Sequence, residues 1–191
     1  VVAESWEKVD DVTVKFVIRE GVTFHNGKKV DANAVKASLE RALAKTDRED
    51  IKIPVDTITA DGQVLTIKTT SPFPTLVNNL ADPVYIIVDA EEAAKDEEAF
   101  KKHPIATGPF KIEKLVPPAE LDLVKHDAHW SGEIAVDTVK VKGIADDSTR
   151  VMALQSGEVD FITQVSAKDA ALFENNDEYT VLRGPNLRVF Y

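Results

Sequence analysis

Residues 12–19 read VTVKFVIR, and this strict alternation constrains the fold more than any other stretch of the chain. Val12, Val14, Phe16 and Ile18 share one face of an extended segment, and polar side chains dominate the other. A period of two marks a strand with one face in a core and one in solvent. A second alternating stretch, residues 57–67, is interrupted by Asp61-Gly62. An Asp-Gly pair favours the two-residue turn whose twist matches antiparallel strands, so a hairpin is expected there. Between the two lies a helical pattern. Asp31 is a good N-cap, Val35, Leu39, Ala42 and Leu43 recur at helical spacing, and Arg41 and Lys45 place positive charge where the helix dipole favours it.

The remaining elements follow from the same rules. Asn26-Gly27 reads as a turn and residues 46–54 as a polar loop. A short helix is expected over 75–80 and a short buried strand over 84–88. A charged helix is expected over 90–102, with Glu91 and Lys95 paired one turn apart. The character changes at residues 103–110, HPIATGPF. Strands are then expected over 111–115, 121–125 and 136–142, the first two separated by Pro117-Pro118. Asp147 reads as the cap of a helix over 148–156 closed by Gly157. Strands over 159–163, 179–183 and 187–191 flank a short helix capped by Ser166 and running through Phe173. Hairpins in the first half and strand–helix–strand units in the second give an α/β or mixed α+β fold in two subregions, divided near residue 105.

Composition narrows the function. The 33 acidic residues outnumber the 23 basic ones, and the net charge of −10 comes with no basic stripe of the kind nucleic-acid binding requires. The absence of cysteine excludes Cys-ligated zinc, thiol catalysis and disulfides in this stretch. No apolar run approaches the ~20 residues that span a bilayer. The opening VVAESW and the closing RVFY both read as the middle of structured elements, so a piece of a longer protein is expected.

Few residues suggest chemistry. His126, Asp127 and His129 offer metal donors, but they follow a strand and precede Trp130-Ser131-Gly132, and a surface turn is the better reading. Asp146, Asp147, Glu158 and Asp160 are acidic and clustered in sequence, yet capping explains Asp147, Asp160 alternates with apolar neighbours, and no nucleophile or base accompanies them. There is no Gly-rich phosphate loop and no Gly-x-Ser-x-Gly elbow. Trp6 and Trp130 read as packing anchors. Tyr85, following Asp82-Pro83 in an apolar run, presents a polar tip suited to a cleft.

Several segments together resemble one family. Residues 4–7 (ESWE) and 16–28 (FVIREGVTFHNGK) are similar to the "ESWE…F-x-LR-x-GV-x-FHDG" signature of the family 5 extracellular solute-binding proteins, and residues 35–42 to its next helix. Thr107-Gly108-Pro109-Phe110 matches the "GTGPF" turn, with Ala106 in place of the first Gly. Residues 127–132 resemble the "NPDYWGG" loop. Residues 146–160 (DDSTRVMALQSGEVD) match "D-x-STR-x-AL-x-SGE-x-D". The likeness runs nearly the whole chain, in the family's order.

The resemblance implies a partial periplasmic-binding-protein-like fold of type II. Residues 1–105 would be most of an extra subdomain on lobe one and 106–191 the central part of that lobe up to the hinge, with lobe two absent. It implies a non-enzymatic receptor, held at the outer face of the cell membrane by a lipid anchor in the full-length protein. Such a receptor delivers a peptide or other small solute to the permease of an ABC importer. Oligopeptides or dipeptides are the expected ligands and a nickel chelate the alternative, with no cofactor; a non-transport interaction domain or a hydrolase on the same scaffold is the second alternative. Nickel-type members carry arginines near the segment 80–85, where this chain has Asp82 and Tyr85, and Arg48 is the nearby cation that stands in for them. Thr107 joins these three as an expected ligand contact.

Overall fold

The computed structural model describes residues 2–174 and 176–184 of the chain. These fall into two compact units, Val1–Val141 and Lys142–Tyr191.

In the first unit, β1 (Ala3–Lys8), β2 (Thr13–Ile18), β3 (Val55–Asp61) and β4 (Val64–Thr69) form an antiparallel sheet in the order β1-β2-β4-β3. Its register follows from the alternation. Phe16 lies opposite Leu65 and Val14 opposite Ile67, and both rows face the core, where Leu65 and Ile67 are almost completely buried. Each such side chain contributes roughly 1.5–3 kcal/mol through burial. Helix α1 (Ala32–Lys45) lies against β3 and β4 and buries Val35, Ser38, Leu39 and Ala42. As expected, Asp31 caps it, accepting the Ala34 N–H at 2.8 Å. The hairpin turn sits one residue later than the sequence suggested. Asp61 stays in the ladder opposite Val64, and Gly62, at φ 57°, takes the left-handed first position of a Gly62-Gln63 turn.

The stretch after the hairpin differs from expectation twice. Helix α2 (Leu76–Asn79) forms, but residues 84–88 are not a strand. Asp82 accepts the Val84 N–H at 2.9 Å, and Pro83 opens a 3-10 turn over Pro83–Tyr85; only Val88 pairs, with Ala106. The charged helix is two helices, α3 (Ala90–Lys95) and α4 (Glu97–Lys102). Asp96 breaks them with an extended backbone and caps α4 by accepting the Ala99 N–H. Lys95 accordingly pairs with Glu92 at 2.7 Å, while Glu91 reaches Lys28.

A second sheet, in the order β5-β6-β7, comprises β5 (Phe110–Val116), β6 (Glu120–Lys125) and β7 (Thr138–Lys142). None of its strand residues is fully buried.

In the second unit, α5 (Asp147–Gln155) is capped by Asp146 rather than Asp147. The Asp146 carboxylate accepts from Ser148 Oγ, Thr149 N and Thr149 Oγ1, which leaves Asp147 to pair with Arg150. Gly157, at φ 73°, ends the helix as anticipated. Ser166 caps α6 (Ala167–Ala170), and turns rather than helix continue to Phe173. Residues 159–163 and 179–183 find no partner strand among the described residues. Instead, Arg150 grips the carbonyls of Ile144, Ala145 and Gln164, and Phe173 packs on Tyr179. The strand expected over 187–191 lies outside the described residues. No helix among the described residues is long and apolar enough to cross a membrane.

Candidate functional site: an apolar cleft at a sheet edge

β1 is an edge strand, and the core face of the sheet is left open beside it. The side chains of Phe16, Ile18 and Leu65 form the floor of a cleft of about 620 Å³, α1 supplies Val35 and Leu39, and residues 77–87 the opposite wall. Trp6 lies opposite Phe16 in the ladder and therefore points to this same face. With no helix above it, Trp6 is 55 % exposed and stands at the rim, as does Ile86 at 60 %. The expectation that Trp6 is a packing anchor is thus corrected: edge position, which alternation does not encode, leaves its ring open. Glu4, Ser5 and Thr107 are the polar groups of a lining that is otherwise mostly apolar.

The four residues expected to contact ligand divide into two pairs. Tyr85 and Thr107 both line the cleft. The hydroxyl of Tyr85 donates to the Ile51 carbonyl at 3.2 Å and accepts the Ile53 N–H at 3.3 Å, so its ring faces the cleft while its polar tip pins the 46–54 loop. Arg48 and Asp82 do not line the cleft. Arg48 makes a two-bond pair with Asp50, at 2.8 and 2.7 Å, which raises the guanidinium's pKa and lowers the Asp50 carboxyl's; Asp82 adds a weaker electrostatic pull. Asp82 also caps the turn that carries Tyr85. The loop and the 79–85 segment are tied together by Tyr85 and by Asn79, whose side-chain amide donates to the Ile51 carbonyl at 3.1 Å.

The other candidates have structural explanations. The rings of His126 and His129 lie 6.4 Å apart, and no group of three or more His, Asp or Glu among the described residues is arranged to hold a metal. Sequence reasoning missed a third imidazole, His25, only 5.2 Å from His126 and far from it in the chain. The acidic cluster disperses into separate contacts: Asp146 caps α5, Asp147 pairs with Arg150 and Glu158 with Lys142 at 3.1 Å. Ser131 Oγ lies 2.7 Å from His129 Nδ1, an exposed contact within one turn. No carboxylate orients the other ring nitrogen among the described residues, unlike an activated serine. Trp130 packs against the first unit's core with Arg19 stacked 5.0 Å over its ring.

Comparison with known proteins gives the chain's relatives. The family model described as "Bacterial extracellular solute-binding proteins, family 5 Middle" matches residues 1–191. The chain is 33 % identical to the nickel-binding protein NikA of Staphylococcus aureus over 97 % of its own length and 37 % of that protein's. It is 29 % identical to the glutathione-binding protein GsiB of Shigella dysenteriae, covering all of this chain and 38 % of that one. It therefore spans well under half the length of these relatives. Among solved structures, a nickel ABC transporter protein from Bacillus halodurans superposes with a TM-score of 0.84 at 38 % identity, over 93 % of this chain and 36 % of that one. The Helicobacter pylori protein DppA, in complex with the peptide STSA, superposes with a TM-score of 0.71 at 26 % identity, over 83 % and 36 %.

Proposed function

This chain belongs to the bacterial extracellular solute-binding proteins of family 5, and from that premise we propose that the whole protein captures a small organic solute outside the cell membrane and delivers it to the permease of an ABC importer. In this reading it is a receptor and not an enzyme, and a lipid anchor holds the full-length protein at the membrane. Residues 1–105 form most of an extra subdomain of lobe one, and residues 106–191 the central part of that lobe. Lobe two comes from sequence outside this chain.

The observation that carries the reading is the cleft. Its volume of about 620 Å³ suits a drug-sized or peptide-sized ligand, and its apolar floor with few polar groups is the usual lining of such sites. It is walled on one side, and a second lobe closing over it supplies the rest. The ligand stabilises the closed form through contacts made only there. A dipeptide or oligopeptide is the leading ligand: apolar side chains enter the cleft past Tyr85 and Thr107, and in this reading Arg48 and Asp82, outside the lining, meet the charged termini. Isolated residues 1–191, supplying one wall, bind at least about a hundredfold more weakly than the full protein.

A second reading, a nickel complex, is favoured by the 33 % and 38 % identities to the two nickel proteins. In that case the metal arrives wrapped in an organic chelator, since no triad of His, Asp or Glu ligands is formed among the described residues, and Arg48 faces the chelator's carboxylates. Calorimetry on the full-length protein with a tetrapeptide, glutathione and a nickel–histidine complex separates the two. The leading reading expects a peptide to bind at least about tenfold more tightly than the nickel complex. The reverse order selects the second reading. Peptide hydrolysis without stable binding overturns both.

A further inference from the structure

His25 sits in the turn after β2 and reaches across to the 104–109 loop. Its Nε2 lies 3.1 Å from the Gly108 carbonyl, and its Nδ1 lies 3.4 Å from the Ala106 N–H. A carbonyl can only accept and a backbone N–H can only donate. The ring must therefore carry its proton on Nε2 and keep a lone pair on Nδ1. One species satisfies both contacts, the neutral Nε2–H tautomer. Two backbone bonds complete the joint: His25 N–H to the Ala106 carbonyl at 2.9 Å, and His126 N–H to the Pro109 carbonyl at 2.8 Å.

We infer that His25 is a pH-sensitive clasp, whose neutral ring holds the 104–109 loop in place and whose protonation on Nδ1 releases the Ala106 N–H. The proton arrives from solvent, and no other covalent bond changes. Protonation turns Nδ1 from acceptor to donor, so two N–H groups oppose each other. The Pro104 carbonyl also acts on the ring as a backbone acceptor, a partner for the new N–H.

The surroundings resist the charge. Burial lowers the His25 pKa most; the Gly108 carbonyl works against this, and His126 and Lys111 lower it further. His126 is 4 % exposed, with its ring edge-on to His25 and its Nδ1 without a partner. Beyond it stands His129, its pKa lowered by burial and by His126, then Trp130 with Arg19 on its face. Apart from Lys111, other charges in this region are engaged with one another. Asn26 and Lys28 hold Asp89, Lys28 also meets Glu91 and Glu92, and Lys125 lies between Asp127 and Asp137. His103, at the end of α4, is exposed. Among the described residues no ion pair or hydrogen bond joins a carboxylate to any of the three imidazoles.

The sign follows. A histidine with a lowered folded pKa contributes stability above its unfolded value of 6.5, and the contribution is lost as pH falls from there through the folded value. Because the loop carries Thr107, which lines the cleft, the clasp couples acidity to ligand binding; this last step rests on the proposed function, and the clasp itself does not.

Hydrogen exchange on the full-length protein tests it, with rates corrected for intrinsic pH dependence. Between about pH 7.5 and about pH 5.5, protection of the 104–110 segment is expected to fall by roughly tenfold relative to β2 and β4. In His25→Gln, which keeps a donor for Gly108 but does not titrate, that segment's protection is expected to be independent of pH. A flat profile in the natural protein, or the same slope in the variant, overturns the clasp. A direct titration of the His25 ring by NMR needs no variant: a midpoint below the ordinary imidazole value supports the clasp, and one at or above it overturns it. If exchange responds while ligand affinity is constant over the same range, the clasp stands and the cleft is not the ligand site.

Discussion

The two sheets of the first unit are made from similar strands and end in opposite states. In β2 every second residue is buried, and in β4 likewise, on the face where α1 lies against β3 and β4. In β6 every residue is half-buried and in β7 most are exposed. Alternation produces a strand in either case. Burial requires a covering element, and within residues 1–141 only the first sheet receives a helix of its own. The four-stranded sheet thus carries the core, with its face left open beside the edge strand β1, and the three-stranded sheet is a wall.

This contrast is sharpest in stability. Ile67→Ala, at a position 1 % exposed, is expected to cost about 2–5 kcal/mol, whereas Leu123→Ala in β6 costs about 1 kcal/mol or less. Denaturant melts of both variants measure the difference, and equal losses would break the contrast. Tyr85→Phe removes the hydroxyl that, among the described residues, is tied to Ile51 and Ile53, and leaves a buried N–H unpaired. A loss of about 1–3 kcal/mol is expected, with faster exchange at Ile53 than in the natural protein. Asp31→Ala uncaps α1 and costs about 1 kcal/mol, and Asp31→Asn recovers most of it. The smallest effect lies in the second unit. Hydroxyl and backbone donors from Ser148 and Thr149 hold the Asp146 carboxyl down to about 2, from an ordinary 3.8. Its capping contribution is complete above the ordinary value and disappears as pH falls from there to about 2. The Thr149 amide resonance should follow that titration, and in Asp146→Ala it should not.

Legibility in the sequence followed the range of the forces involved. The strand at residues 12–19, the helix after Asp31 and the hairpin at Gly62 are set by neighbours a few positions apart, and their patterns were plain. Where two local signals competed, the sequence misled. Val84 to Val88 looks like a strand by apolarity, yet Asp82-Pro83 imposes a 3-10 turn. Residues 90–102 look like one helix by charge pairing, yet Asp96 interrupts it as a cap. Two adjacent acids before α5 gave a cap displaced by one residue. Non-local geometry was not readable at all. Nothing near Trp6 announces that β1 is an edge strand, and nothing near His126 announces His25. Tyr85 and Thr107 do line a common cleft, while Arg48 and Asp82 do not, because Asp50 holds Arg48 and Asp82 caps the turn that carries Tyr85.

The central claim is that the open edge beside β1 is one wall of the solute site. Ala81 is exposed and lines the cleft, so Ala81→Trp fills it without disturbing the buried core. Calorimetric titration of the full-length variant with the natural protein's best ligand is the most direct test. The account predicts affinity reduced by at least about tenfold with an unchanged melting temperature; unchanged affinity in a folded variant would contradict it.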